Sequence, residues 1–177
     1  MILTKAIGSG IITTAAKAGT AKKETIKHAV ESMVALNKGA SDAMVEVGVN
    51  SATDVTGFGL LGHLWQMMKS SEVSAKLSWS EIPILPDVVE LAVAGNISGG
   101  TTRNMEALKE IVQLENGLSN IDFTILADAQ TSGGLLISVP EERSTILIKN
   151  LVANQSLYSS IVGKVIEGNP GAITVQK

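Results

Sequence analysis

Residues 52–63 read Ala52-Thr53-Asp54-Val55-Thr56-Gly57-Phe58-Gly59-Leu60-Leu61-Gly62-His63. A short strand over Val49 to Val55 runs into the turn Thr56-Gly57-Phe58-Gly59. Leu60, Leu61, Leu64, Trp65 and Met68 then recur at helical spacing to about Ser70. A strand, a glycine turn and a helix in direct succession belong to folds in which helices cover a sheet. The same order sets Asp54 at the carboxyl end of the strand, beside turn N–H groups. A carboxylate so placed can hold Mg²⁺, which takes one or two carboxylates together with phosphate oxygens and water. The alternative is an Asp that caps the following helix. His63, in the same stretch, reads as a structural hydrogen-bonding residue.

Working outward, Lys22 to Asn37 reads as a helix whose apolar face is Ile26, Ala29, Val30, Met33 and Val34. Asn37-Lys38-Gly39 reads as its stop, with Gly39 in the left-handed position, and Ser41 as the cap of a second helix ending near Gly48. Val73, Ala75, Leu77 and Trp79 alternate with polar residues, as in a strand buried on one face. Helices are expected over Pro86 to Ala94 and from Thr101 to about Leu114. Leu135 to Val139 is apolar without alternation, which predicts a strand covered on both faces. Pro140-Glu141-Glu142 opens a helix through Val152. Ile161 to Ile166 and Ala172 to Val175 read as a hairpin around Gly168-Asn169-Pro170-Gly171. The fold class expected is α+β, a mixed β-sheet covered by helices, in a single domain spanning 1–177.

Composition narrows the function. The 177 residues are 45% hydrophobic and 18% charged, enough apolar material for a packed core and too little charge for disorder. Net charge is −3, with no basic surplus for a phosphate backbone, and aromatic residues are 3%, so nucleic-acid binding is not expected. Cysteine is absent, which removes disulfides and any cysteine nucleophile from this chain. No apolar run approaches the roughly 18–20 residues of a membrane span, and no secretion signal opens the chain. A cytoplasmic protein without a membrane partner is expected. His28 and His63 lack metal-ligand spacing.

Two further glycine-rich segments can carry chemistry. Gly99-Gly100-Thr101-Thr102-Arg103-Asn104 enters a helix and leaves N–H donors that can face an anion; the alternative is a simple turn with Thr101 as cap. Asp128-Ala129-Gln130-Thr131-Ser132-Gly133-Gly134 precedes the apolar strand, and its small residues can form a nest of N–H groups; the alternative is an ordinary loop.

Together these segments resemble a known family. Residues 52–63 resemble, over twelve consecutive positions, the signature of selenophosphate synthetase (selenide, water dikinase). Gly99 to Asn104, Gln130 to Leu136, and the opening Leu3-Thr4-Lys5 with Gly8-Ser9-Gly10-Ile11 are similar to that family in the same order. The looser motifs are shared with aminoimidazole ribonucleotide synthetase and a hydrogenase-maturation protein. Ala6 and Ala129 depart from the family, which carries Pro at both places.

The resemblance is to the C-terminal domain and implies the α+β fold of the aminoimidazole ribonucleotide synthetase superfamily. It implies an N-terminal ATP-binding domain, absent from these residues, that supplies a reactive cysteine or selenocysteine, a lysine and further metal-binding aspartates. The activity implied for the whole enzyme converts ATP, water and selenide to selenophosphate, AMP and phosphate. Asp54 is the implied Mg²⁺ ligand. Gly99, Gly100, Thr101, Asn104, Thr131, Ser132, Gly133 and Gly134 are the candidate ATP-binding residues, and no catalytic residue is expected in the chain itself. A homo-oligomer is compatible with this reading. Two other functions fit the residues: a non-catalytic scaffold of the same fold, or a relative that activates another substrate with ATP.

Overall fold

The computed structural model describes all 177 residues. In chain order the elements are β1 (Ile2–Leu3), α1 (Ser9–Ala18), α2 (Lys23–Val34), α3 (Lys38–Val47), β2 (Ser51–Asp54), α4 (Gly59–Ser70), β3 (Ser74–Ser78), α5 (Val88–Val93), α6 (Gly99–Leu108), β4 (Val112–Leu114), α7 (Asn120–Leu126), β5 (Leu135–Ser138), α8 (Glu141–Ala153), β6 (Ser160–Ile161), β7 (Gly163–Ile166) and β8 (Ile173–Gln176). The α+β class holds, with two four-stranded sheets in place of one. The first has the order β2-β5-β1-β6 with every neighbour antiparallel. The second, β4-β8-β3-β7, is mixed: β8 runs parallel to β3 and β4, and β7 antiparallel to β3.

β5 is interior and buried at all four positions, as its unbroken apolar run requires. Leu135 and Ile137 face Ala40 and Ala43 of α3 and Leu147 and Leu151 of α8. Leu136 points to the opposite side, into the main core with Leu3, Leu60, Leu64, Leu77 and Val175. Both faces of the strand that leads out of the 128–134 loop are therefore fixed by packing.

Several sequence expectations change. β7 and β8 do not form a hairpin; each pairs with a different edge of β3, so the Gly168–Gly171 turn carries a crossover around that strand. The helix from Thr101 stops at Leu108, and Val112 to Leu114 is a strand added parallel to β8. Ile111, Val112 and Leu114 suit either period, and the free edge of β8 decides between them. Val30 and Val34 of α2 are exposed, at 44% and 70%; the buried face is Thr25, Ala29 and Ser32, with Ile26 and Met33 at its margin. Gly39 lies inside α3, where a Cβ would meet the Asn154 carbonyl oxygen at 2.3 Å; α3 starts after Asn37 and not at Ser41. α7 was not anticipated, although Ser119 and Asp122 form a reciprocal capping box at its start.

Candidate functional site

The three glycine-rich segments meet at one end of the first sheet. Asp54, the last residue of β2, lies opposite Leu135 in the ladder, and the Val55 N–H donates to the Gly134 carbonyl at 2.8 Å. A Cβ on Gly133 would sit 2.1 Å from the Val55 carbonyl oxygen, so only glycine lets the two loops approach this closely. Asn104 of α6 joins the third segment to them, donating to the Gly57 carbonyl at 2.9 Å and the Ala127 carbonyl at 3.0 Å.

Asp54 stands at the rim. Its side chain is exposed and accepts no hydrogen bond within the chain, and α4 begins after Phe58 with no side-chain cap. The capping alternative is thereby set aside. Nearby, His63 is buried, and its Nε2 lies 3.1 Å from Thr56 Oγ1. Burial lowers its pKa, and the Asp54 charge pulls it back up.

Beneath the rim is a buried polar knot centred on Asp128, which is 0% exposed. Its Oδ2 accepts from the N–H groups of Gly10 and Ile11, at 3.0 and 3.2 Å, and from Gln130 Nε2 at 2.9 Å. Its Oδ1 accepts from Thr101 Oγ1 at 2.9 Å. Gln130 Oε1 in turn accepts from the N–H groups of Gly8 and Ser9 and from Ser9 Oγ. The free N–H groups at the start of α1 are thus satisfied by side chains from residues far along the chain. Burial raises the Asp128 pKa to about 6, against the four hydrogen bonds that favour its charged form.

The structure places the remaining candidates unevenly. Thr101 is buried; its Oγ1 donates to Asp128 and accepts the Ala129 N–H, and Ser98 rather than Thr101 caps α6. Gly100 packs against Ala129. Thr131 and Ser132 are exposed, while Gly133 and Gly134 are buried. Ser132 is held at φ 48°, a left-handed conformation that side-chain-bearing residues adopt at a cost. The N–H groups of Ser132, Gly133 and Gly134 donate to nothing within the chain, nor do those of Gly99 and Gly100. Asp128 and Gln130 were legible in the motif but not as its centre; the close glycines at 8 and 10 were the available signal. No group of three His, Cys, Asp or Glu side chains comes together in the chain. No helix is long and apolar enough to cross a membrane.

A family profile described as "AIR synthase related protein, C-terminal domain" matches residues 1–176. The chain belongs to this family. Among curated relatives, it is 43% identical over 175 residues to "Selenide, water dikinase 2" of Peptoclostridium acidaminophilum, covering 99% of the chain and 50% of the relative. It is 45% identical over 167 residues to "Selenide, water dikinase" of Caldanaerobacter subterraneus subsp. tengcongensis, covering 94% and 48%. The chain therefore spans about half the length of the curated relatives it matches. The family's fold is also seen in solved structures. One of hydrogenase maturation protein HypE has a TM-score of 0.66 at 17% identity, covering 98% of this chain and 48% of that one. Another, of thiamine-monophosphate kinase from Stenotrophomonas maltophilia K279a, has a TM-score of 0.62 at 13% identity, covering 98% and 48%.

Proposed function

We propose that the chain is the C-terminal domain of a selenide, water dikinase, an enzyme that makes selenophosphate, AMP and phosphate from selenide, ATP and water. The observation that carries this reading is the 43% identity sustained over 99% of the chain to a protein of that name. On this reading an N-terminal ATP-binding domain supplies the reactive cysteine or selenocysteine and the other metal ligands, and the enzyme works in the cytoplasm.

The residues fit Mg²⁺ in part. Asp54 offers a hard oxygen ligand with no other bond to break, and a single carboxylate leaves most of the shell to phosphate oxygens, water and other ligands. Asp54 would hold Mg²⁺, which would supply positive charge to offset the charge that moves in phosphoryl transfer. The N–H groups of Ser132, Gly133 and Gly134 supply donors for phosphate oxygens, and those of Gly99 and Gly100 supply more at the start of α6. Thr101 and Asn104 hold these donors in place by bonding the loops together. The chain's contribution is thus to bind and orient the phosphates, with no nucleophile of its own.

The test joins this chain to the N-terminal half of the Peptoclostridium acidaminophilum relative. The fusion should form AMP from ATP only when selenide is present, and the 177-residue chain alone should form none. A folded fusion without selenide-dependent AMP, or turnover by the isolated chain, overturns the proposal.

A further inference from the structure

Two side chains not named among the candidate site residues, Lys5 and Asn37, reach the Ser132–Gly134 turn from the other side. Lys5 is 3% exposed, and its Nζ donates to the Ser132 carbonyl at 2.8 Å and to the Ala35 carbonyl, between α2 and α3, at 2.7 Å. Asn37 Nδ2 donates to the next carbonyl, that of Gly133, at 2.8 Å. No carboxylate pairs with Lys5; its partners are both neutral carbonyls. Burial lowers its pKa, as expected of a cation without a counter-charge.

The peptide unit converts these two bonds into an orientation. Across a trans peptide, the C=O of one residue and the N–H of the next point in opposite directions. Holding the Ser132 carbonyl toward Lys5 turns the Gly133 N–H away from it. Holding the Gly133 carbonyl toward Asn37 does the same for the Gly134 N–H. These are two of the three N–H groups of the turn that have no acceptor within the chain. The bond from Lys5 also opposes relaxation of Ser132 out of its left-handed conformation at φ 48°. The cation has no other evident use: a buried lysine bound only to carbonyls is a costly way to tie a corner of α2 to a loop.

We propose that Lys5 and Asn37 are positioning residues that aim the Gly133 and Gly134 N–H groups at an anionic ligand by holding the two carbonyls behind them. This rests on the reading of the turn as a phosphate site. Lys5 acts through the backbone and does not itself touch the anion, so its loss should be compensated by making the strained position easier to hold.

The test titrates the 177-residue chain with inorganic tripolyphosphate and follows the Gly133 and Gly134 amide resonances by NMR. In the wild type both should shift. Lys5→Met should weaken the response about tenfold, the scale of one charge-assisted hydrogen bond, and Asn37→Ala by less. Adding Ser132→Gly to Lys5→Met should restore most of the loss, because glycine holds the left-handed conformation without help. A folded Lys5→Met chain that titrates like the wild type overturns the proposal. So does a double variant with no recovery, which would show that Lys5 meets the anion directly. If Lys5→Met does not fold, Asn37→Ala, at a half-buried corner, decides alone: a wild-type titration overturns the proposal and a weakened one supports it. Wild-type amides that do not move remove the phosphate site itself, an outcome distinct from a responsive wild type with indifferent variants.

Discussion

Asp54 and Asp128 lie at the same end of the first sheet and differ in nearly every physical respect. Asp128 is wholly buried, and four donors occupy its two oxygens. Asp54 is exposed and accepts nothing from the chain. A carboxylate whose acceptor capacity is used internally serves the fold, because any external ligand must displace those donors. A carboxylate with both oxygens free is available to a hard cation. On the proposed function, the contrast separates a rim free to meet ligands from a floor that holds the rim in place.

The most severe way to break this contrast is to neutralise the rim. Asp54→Asn, in the fusion with the relative's N-terminal half, should lower selenide-dependent AMP formation on the order of a thousandfold. Stability should change by no more than about 0.5 kcal/mol, since the side chain supports nothing. Near-normal turnover at saturating Mg²⁺ would leave Asp54 a solvated surface acid with no metal to hold.

The floor fails in the opposite manner. Leu136→Ala removes a side chain that is 0% exposed from the centre of the main core, and should cost about 2–5 kcal/mol in denaturant unfolding. A loss below about 1 kcal/mol would mean that β5 is not the support on which the site is built.

Asp128→Asn sharpens the comparison through pH. The amide keeps one oxygen for the α1 N–H groups, and its nitrogen can donate to Thr101 Oγ1, whose own proton can turn to Ser98 Oγ at 3.0 Å. Shape survives and charge goes. The wild-type carboxyl has a folded pKa of about 6, above its ordinary value of 3.8, so the folded state holds the proton more tightly than the unfolded state does. Relative to the variant, wild-type stability should therefore rise as pH falls from about 7 toward 4.5, by about 2 kcal/mol, and be lost again as pH rises through about 6. Parallel stability curves for the two proteins would contradict a buried, titrating Asp128. The mildest perturbation is Ser98→Ala, which removes the cap of α6 and should cost about 1 kcal/mol by thermal unfolding.

Much of the rim could be read from the chain, and little of the floor. Asp54, the glycine turn and the apolar strand after the 128–134 loop are contiguous features with their own local patterns. The knot at Asp128 is assembled from Gly8 to Ile11, Thr101 and Gln130, whose partnership exists only once the sheet has formed. Lys5 was part of a quoted motif, but its use depends on a corner at Ala35 that no local pattern reports. The hairpin expected at the C-terminus failed for a similar reason. The Gly168–Gly171 turn marks β7 and β8 as flanking strands, whereas their partner, β3, is fixed by long-range packing.

The first sheet also governs when the molecule can exist at all. β1 is two residues long at positions 2 and 3, and its partners are Ile137 and Leu136 on one side and Ile161 and Ser160 on the other. On the ribosome, at roughly 5–20 residues per second, this segment stays unpaired until Leu136 and Ile137 have emerged. Loop-closure entropy opposes such distant contacts, and chains dominated by them fold slowly. The site at the end of that sheet is accordingly among the last parts to form, since Ile2–Leu3 and Ser51–Asp54 both wait for Leu135–Ser138.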